Sequence, residues 1–320
     1  MSIQRTLRKI FLTATVAILS GCDTVVMSPS GDIAAQQANL LVWATGLMLI
    51  IVLPVIFFIL LFAWRYRAGN KEAVYEPDWD HSTSLELLIW AAPLAIVIAL
   101  GALTWVSTHQ LDPYRPLDRI AEDRPIPEGV ETLVVEVVAM DWKWLFFYPE
   151  QGIAVVNQLA APVDRPIKFK ITSTTMMNSF FIPALAGQIY AMGGMETKLH
   201  AVINEPGSYD GFSANYSGKG FNGMRFKFLG MPEDNFEQWV AKVKADGEVL
   251  SRSVYQELAK PSKYNPVQYY SSVEPELYES ILNRCVVPGT QCMKDWMTPH
   301  KGNHNVPASA NSQSEAGHGH

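Results

Sequence analysis

Cysteine is scarce in this sequence. The 320 residues hold Cys22, Cys285 and Cys292 and no others. None lies between Pro127 and Pro232, where His200 is the one histidine. That stretch therefore has no thiolate and no imidazole pair to grip a soft metal. A long run of either charge sign is also missing. With 25 basic and 31 acidic residues the net charge is −6, which argues against nucleic acid as a partner. Charge is absent altogether from Leu40 to Trp64, "LLVWATGLMLIIVLPVIFFILLFAW". From Leu85 to Val106, "LELLIWAAPLAIVIALGALTWV", the only charge is Glu86. Each run is long enough to cross a hydrocarbon core of ~30 Å. Pro54 and Pro93 sit inside them, as neighbouring helices in lipid permit.

The N-terminus reads as a processing signal. Arg5, Arg8 and Lys9 precede the apolar "IFLTATVAILS", which ends in "LSGC", Leu19 to Cys22. That is the pattern of a bacterial lipoprotein: residues 1–21 form the signal peptide and Cys22 carries the lipid. The alternative is a plain secretory signal with a chance cysteine. Asp23 after the cysteine suits retention in the inner membrane. The segment 22–39 has no Lys or Arg, whereas Arg65, Arg67 and Lys71 open the loop 65–84. By the positive-inside rule that loop is cytoplasmic, and everything after Ser107 lies in the periplasm. Trp64 and Trp105 fit interfacial anchors.

Beyond a linker at 107–126, residues 127–232 alternate in short runs. In "PIKFKITST", Ile167, Phe169 and Ile171 share one face, with Lys168, Lys170 and Thr172 on the other. "ETLVVEVVAMDWKW", "ETKLHAVI", "YDGFSANY" and "MRFKFLG" continue the pattern, broken by "NEPG" and "SGKG". Strands at this spacing predict an antiparallel sandwich or barrel. Residues 233–300 read as a helical extension: "EDNFEQWVAKVKA" puts Phe236, Trp239, Val240 and Val243 on one face, and "SVYQELAK" is a second, weaker helix. The composition of 301–320 predicts a disordered tail. Cys285 and Cys292 flank a Pro-Gly turn in "CVVPGTQC". In an oxidising compartment they form a disulfide, with two free thiols or a soft-metal pair as the alternatives.

A lipoprotein signal, a helical hairpin and an exported β-sandwich, in this order, resemble subunit II of the heme-copper respiratory oxidases. Glu86 stands seven residues before Pro93, as in that family. "MDWKWLFFYPE" occupies the place of the family's tryptophan-rich strand, with Trp142 and Trp144 at its aromatic positions. "MMNSFFIPALAGQIYAMGGM" matches the segment that supplies the first copper ligand. The resemblance runs to about Lys260. It implies a membrane-anchored α+β chain: a transmembrane hairpin, a cupredoxin-like β-sandwich and C-terminal helices.

Family members that oxidise cytochrome c hold a two-copper centre in the sandwich. In that register Asn178 stands at the first histidine, Ser213 and Ser217 at the cysteines, Asn215 at the glutamate and Phe221 at the second histidine. Met224 alone keeps its type. A neutral hydroxyl cannot replace a bridging thiolate. The resemblance therefore points to the quinol-oxidising branch, the cytochrome bo-type ubiquinol oxidases, and implies that this chain binds no cofactor. Hemes and catalytic copper would lie in subunit I, which takes electrons from quinol, reduces dioxygen and pumps protons. The implied partners are subunit I, the other oxidase subunits and membrane lipid, with quinol as substrate of the complex. Glu86 takes the family's place at the mouth of a proton pathway; an interfacial carboxylate is the plainer reading. Trp142 and Trp144 then serve packing, with no acceptor behind them. Met176, Met177, Met192, Met195 and Met224 act as gap-fillers rather than a Cu(I) shuttle. His300, His304, His318 and His320 belong to a solvated tail. Two alternatives remain: a cytochrome c oxidase subunit II, and a free-standing lipoprotein module for binding or copper handling.

Overall fold

The computed structural model describes residues 24–74 and 76–297. Cys22, the signal segment and the tail histidines lie outside them. Two long helices come first, α1 (Asp32–Arg65) and α2 (Thr83–Gln110), and they pack against each other. Their apolar windows bury nothing inside the chain. Leu60 is 66% exposed and Trp90 78%. Faces this apolar and this open are what lipid or a neighbouring membrane subunit covers.

α1 begins well ahead of the apolar run at Leu40, because "DIAAQQAN" is itself a good helix former with an acid in its first turn. That early stretch docks on the sandwich and buries Asp32, Ala34 and Ala38. Asp32 accepts from Gln36 Nε2 at 2.6 Å and from Arg119 Nε at 3.1 Å. The amides of Ser30 and Gly31 donate to the Ala184 carbonyl, and Gly31 bridges to Ile203. Only glycine fits at position 31. A Cβ there would stand 2.6 Å from the Val202 carbonyl oxygen and 2.7 Å from that of Leu185.

A small ribbon, β1 (Arg119–Ala121) and β2 (Arg124–Pro125), leads from α2 into the sandwich. The larger sheet contains β3 (Leu133–Met140), β4 (Lys143–Tyr148), β5 (Ile153–Val156), β7 (Ile167–Ser173) and β10 (Thr197–Ala201). It is completed by β13 (Glu248–Leu250) and β14 (Gln268–Val273), in the order β10-β7-β3-β4-β5-β14-β13. The smaller sheet contains β6 (Gln158–Pro162), β8 (Asn178–Phe181), β9 (Ile189–Ala191), β11 (Gly207–Ser213) and β12 (Arg225–Met231), in the order β6-β12-β11-β8-β9. The alternation in β7 does what it predicts: Ile167, Phe169 and Ile171 are fully buried between the sheets. Trp144, Phe146, Phe180 and Phe226 join them, with the Phe180 and Phe226 rings stacked at 5.5 Å. Each such side chain contributes about 1.5–3 kcal/mol by leaving water.

Two expectations need correction. The sandwich is mixed, not antiparallel: β3 runs parallel to β7, β6 to β12 and β13 to β14. Alternation reports which face is buried, while strand direction depends on the connections. The C-terminal extension is likewise not purely helical. α3 (Glu233–Asp246) buries Phe236, Trp239, Val240 and Val243 as its periodicity requires. β13 and β14 then widen the larger sheet, and α4 (Arg252–Leu258) and α5 (Leu277–Leu282) cover its outer face. Val138, Met140, Leu145 and Phe147 from the sheet meet Leu250, Tyr255, Tyr270 and Ile281 there. This second core explains why every residue of β4 is buried. Lys143 is among them, 1% exposed, with Nζ donating to the carbonyls of Leu258 at 2.6 Å and Lys260 at 2.9 Å. It caps the C-terminal end of α4, and burial pushes its ammonium below the usual lysine range.

Candidate functional site

The residues at the family's copper positions come from three places: the start of β8, the end of β11 and the loop from Ala214 to Met224. The fold brings them together. The Ser213 hydroxyl lies 3.1 Å from Asn178 Oδ1 and 3.2 Å from the Asn215 carbonyl, and the Ser179 amide donates to it at 3.5 Å. Asn178 Nδ2 donates to the Met176 carbonyl at 3.0 Å, and Asn215 Nδ2 to the Met177 carbonyl at 3.1 Å. Asn178 and Ser213 are buried, at 2% and 3% exposure. Ser217 is 5% exposed and its hydroxyl has no hydrogen-bond partner. Phe221 opens a 3-10 turn (Phe221–Gly223) and packs its ring on Tyr216 at 5.7 Å. Met224 is buried in the sandwich core.

This donor set does not fit copper. It offers hydroxyls, carboxamides, a phenyl ring and one thioether, where a copper–thiolate centre needs sulfur anions and imidazoles. The amides and the Ser213 hydroxyl are already engaged with each other and with backbone. Among the described residues no three His, Cys, Asp or Glu side chains converge on a metal position.

Trp142 closes the loop from outside. It sits in the left-handed region at φ 65°, in the turn between β3 and β4. Its indole N–H donates to the Ser217 carbonyl at 2.9 Å. The ring lies so close over Gly220 that a Cβ there would come within 2.2 Å of it. Lys263 Nζ stands 5.7 Å from the ring centroid on the surface side. The aromatic strand motif identified Trp142 but not this role, because the contact joins residues far apart in sequence. Trp144 is fully buried, edge-on to Phe180 and Phe226 at 5.4 and 5.7 Å. Met176, Met177 and Met195 are not core gap-fillers: they are 52%, 44% and 56% exposed. In the C-terminal extension Cys285 and Cys292 are bonded, with Cα atoms 4.9 Å apart.

The other candidate stands apart, at the opposite end of α2. Glu86 lies in the first turn of that helix, and its amide donates to the Ser82 carbonyl. Its carboxylate meets a residue that the sequence did not single out: His81 Nδ1 is 2.7 Å from Glu86 Oε1. The His81 Nε2 atom is 3.1 Å from Thr83 Oγ1. A spacing of five residues across a helix start gives no pattern signal; only the bend of the chain into α2 brings the pair together.

The sequence profile of the COX aromatic-rich motif matches residues 244–289. That places β13, α4, β14 and α5 inside the family and extends the likeness past Lys260. The cytochrome bo(3) ubiquinol oxidase subunit 2 of Pseudomonas putida is 51% identical over 267 residues, covering 83% of this chain and 82% of the relative. Its counterpart in Pseudomonas aeruginosa is 52% identical over 271 residues, covering 85% and 79%. The quinol oxidase subunit 2 of Bacillus subtilis is 36% identical over 264 residues, covering 82% and 79%. A solved periplasmic domain of cytochrome oxidase subunit II from Bradyrhizobium japonicum aligns at 20% identity with a TM-score of 0.35, covering 38% of this chain and 97% of that one. So low a score leaves the assignment to the sequence relatives. Identity of 51% and 52% over more than four fifths of this chain places the protein in the ubiquinol oxidase subunit 2 family.

Proposed function

We propose that this chain is the copper-free second subunit of a proton-pumping ubiquinol oxidase, an anchoring and stabilising subunit without a catalytic centre of its own. The observation that carries this reading is the hydrogen-bond network that Asn178, Ser213 and Asn215 form at the copper positions. Asn178, Ser213 and Asn215 bond each other and nearby backbone, so no relay for an external cytochrome c is built there. The electron donor then has to reach the complex from within the lipid, as a quinol does. Hemes and catalytic copper are assigned to subunit I, which the exposed apolar faces of α1 and α2 are suited to meet, together with lipid. In this reading the sandwich faces the periplasm, Cys22 carries a lipid anchor, and the Cys285–Cys292 bridge forms in that oxidising space. Glu86, near the cytoplasmic end of α2, is the proton-uptake candidate.

Purification of the complex in mild detergent tests the reading. A heme-bearing partner should co-elute, quinol should be oxidised with oxygen consumption, and reduced cytochrome c should not. Copper bound in this subunit, or turnover on cytochrome c, would overturn it.

A further inference from the structure

A cavity of about 470 Å³ lies where the hairpin meets the sandwich, lined by the early turns of α1, the end of α2, the linker and part of the sandwich. Its volume is in the range of small-ligand sites. Two of its side chains are buried, Asp32 at 5% and His200 at 9% exposure. Each ends in an acceptor that no donor among the described residues uses. Asp32 takes its bonds from Gln36 and Arg119 at Oδ2, which leaves Oδ1. His200 Nδ1 stands 3.1 Å from the Pro113 carbonyl oxygen, which cannot donate. The proton therefore sits on Nδ1, and Nε2 of the neutral ring is the free acceptor. A buried acceptor without a donor costs free energy, so two at one cavity favour a ligand that donates. The carboxylate favours a cationic one. Two guanidinium groups on the same cavity wall have the opposite need. Arg115 and Arg119 each commit one nitrogen, to Asp118 and to Asp32, and their other N–H groups favour an anion. Arg124 is already committed at both terminal nitrogens to Asp164. Water meets each of these groups singly. A zwitterion with its cation and anion a few bonds apart meets them together.

The position of the cavity points to the source of such a ligand. Gln37 stands just before the apolar run that opens at Leu40, and Gln110 just after the one that closes at Val106. At the rise of an α-helix both lie about 4–6 Å beyond the apolar runs. The polar headgroup layer outside the hydrocarbon is about 5–7 Å deep on each side. The membrane-side edge of the cavity is therefore at headgroup depth. We propose that this cavity takes the phosphoethanolamine headgroup of a membrane phospholipid. The ammonium donates to Asp32 Oδ1 and His200 Nε2, and the phosphate accepts from Arg115 and Arg119. A phosphocholine headgroup has the same charges but no N–H to donate, and a phosphoglycerol headgroup has no cation. The site thus selects among lipids by hydrogen bonds as well as by charge. A lipid held there fastens the joint of hairpin and sandwich to the membrane surface. The proposal rests on α1 and α2 spanning the membrane, and not on how the complex obtains its electrons.

The test uses the assembled complex, stripped of lipid in detergent and then offered dioleoyl phosphatidylethanolamine, phosphatidylcholine or phosphatidylglycerol. Native mass spectrometry counts the lipid retained. The wild type should hold a phosphatidylethanolamine that equal amounts of the other two lipids do not displace. His200→Phe keeps a ring in the buried space and removes the acceptor. It should weaken that binding about tenfold or more, as the loss of a hydrogen bond to a charged group does. The Arg115 side chain is 45% exposed, so Arg115→Gln is the variant that spares the fold. It should weaken phosphatidylethanolamine and phosphatidylcholine alike, by about twofold to fivefold, and leave the preference between them. Soluble O-phosphoethanolamine should compete only in large excess; potency equal to that of the lipid would assign the site to a free solute and overturn the lipid. Equal retention of phosphatidylethanolamine and phosphatidylcholine by the wild type would also overturn the proposal. So would an unchanged preference in His200→Phe, or unchanged binding in Arg115→Gln.

Discussion

The sandwich and the membrane hairpin bury their aromatic residues against different partners. Trp144 in β4 is fully enclosed by the chain itself, whereas Trp90 in α2 is 78% exposed. The polar chemistry follows the same division. At the family's copper positions Asn178, Ser213 and Asn215 are satisfied within the chain. Glu86 and His81 meet at 2.7 Å with side chains 48% and 63% exposed. The sandwich thus encloses its own aromatic residues, whereas the hairpin leaves apolar faces open, as a surface that meets lipid or a neighbouring subunit does.

The contrast is easiest to break at the two tryptophans. Trp144→Ala should destabilise the sandwich by about 3–5 kcal/mol, seen as early unfolding or protease cleavage of the purified subunit. Trp90→Ala should leave sandwich unfolding unchanged, within about 0.5 kcal/mol. Equal effects from both would remove the distinction.

Next in size is the joint between the two regions. Gly31→Ala forces a Cβ against two backbone oxygens that have no flexible end to move. A loss of about 1–3 kcal/mol is expected, concentrated at the docking of α1. Hydrogen exchange should quicken at residues 30–38 while the β-sheet cores stay protected. Unchanged exchange there would show that the joint carries no strain.

Within the copper positions the two serines should part company. Ser213→Ala strips hydrogen bonds from Asn178 and from the Ser179 amide and should cost about 1–3 kcal/mol. Ser217→Ala removes a buried hydroxyl that has no partner and should be neutral or stabilising. Thermal unfolding of both variants decides this, and a larger loss at Ser217 would sink the account of a closed network around Ser213.

The smallest effect concerns Glu136. Burial raises its pKa, and the Lys170 ammonium at 3.1 Å only partly offsets the shift. The folded state therefore holds this proton more tightly than the unfolded chain. The associated stability is fully present below the unfolded pKa and is lost as pH rises through the folded one. Glu136→Gln, whose carbonyl can still accept from Lys170, should gain on the wild type at pH ~7 relative to pH ~4. A pH-independent difference between the two unfolding curves would contradict it.

Much of the site was legible before any coordinates. The count back from Met224 through Phe221, Ser217, Asn215 and Ser213 needed only loop length, because ligand spacing in a single loop is a local property. Asn178 followed from the apolar run after it. What spacing could not reach were Trp142 over Gly220 and His81 against Glu86. In the first case the partners meet only once β3 and β4 have turned back toward the loop after β11. In the second, a chain bend ahead of α2 sets the distance.

By itself the sequence determined the two spans and the buried faces of β7 and α3. Each of these depends on side-chain type at a fixed local period. Only the tertiary structure decided that three strand pairs run parallel, that β13 and β14 join the larger sheet, and that α1 starts on the sandwich rather than in the membrane. Those outcomes depend on which distant surface an element meets. A local pattern shows that a face must be buried, and the folded chain supplies the surface that buries it.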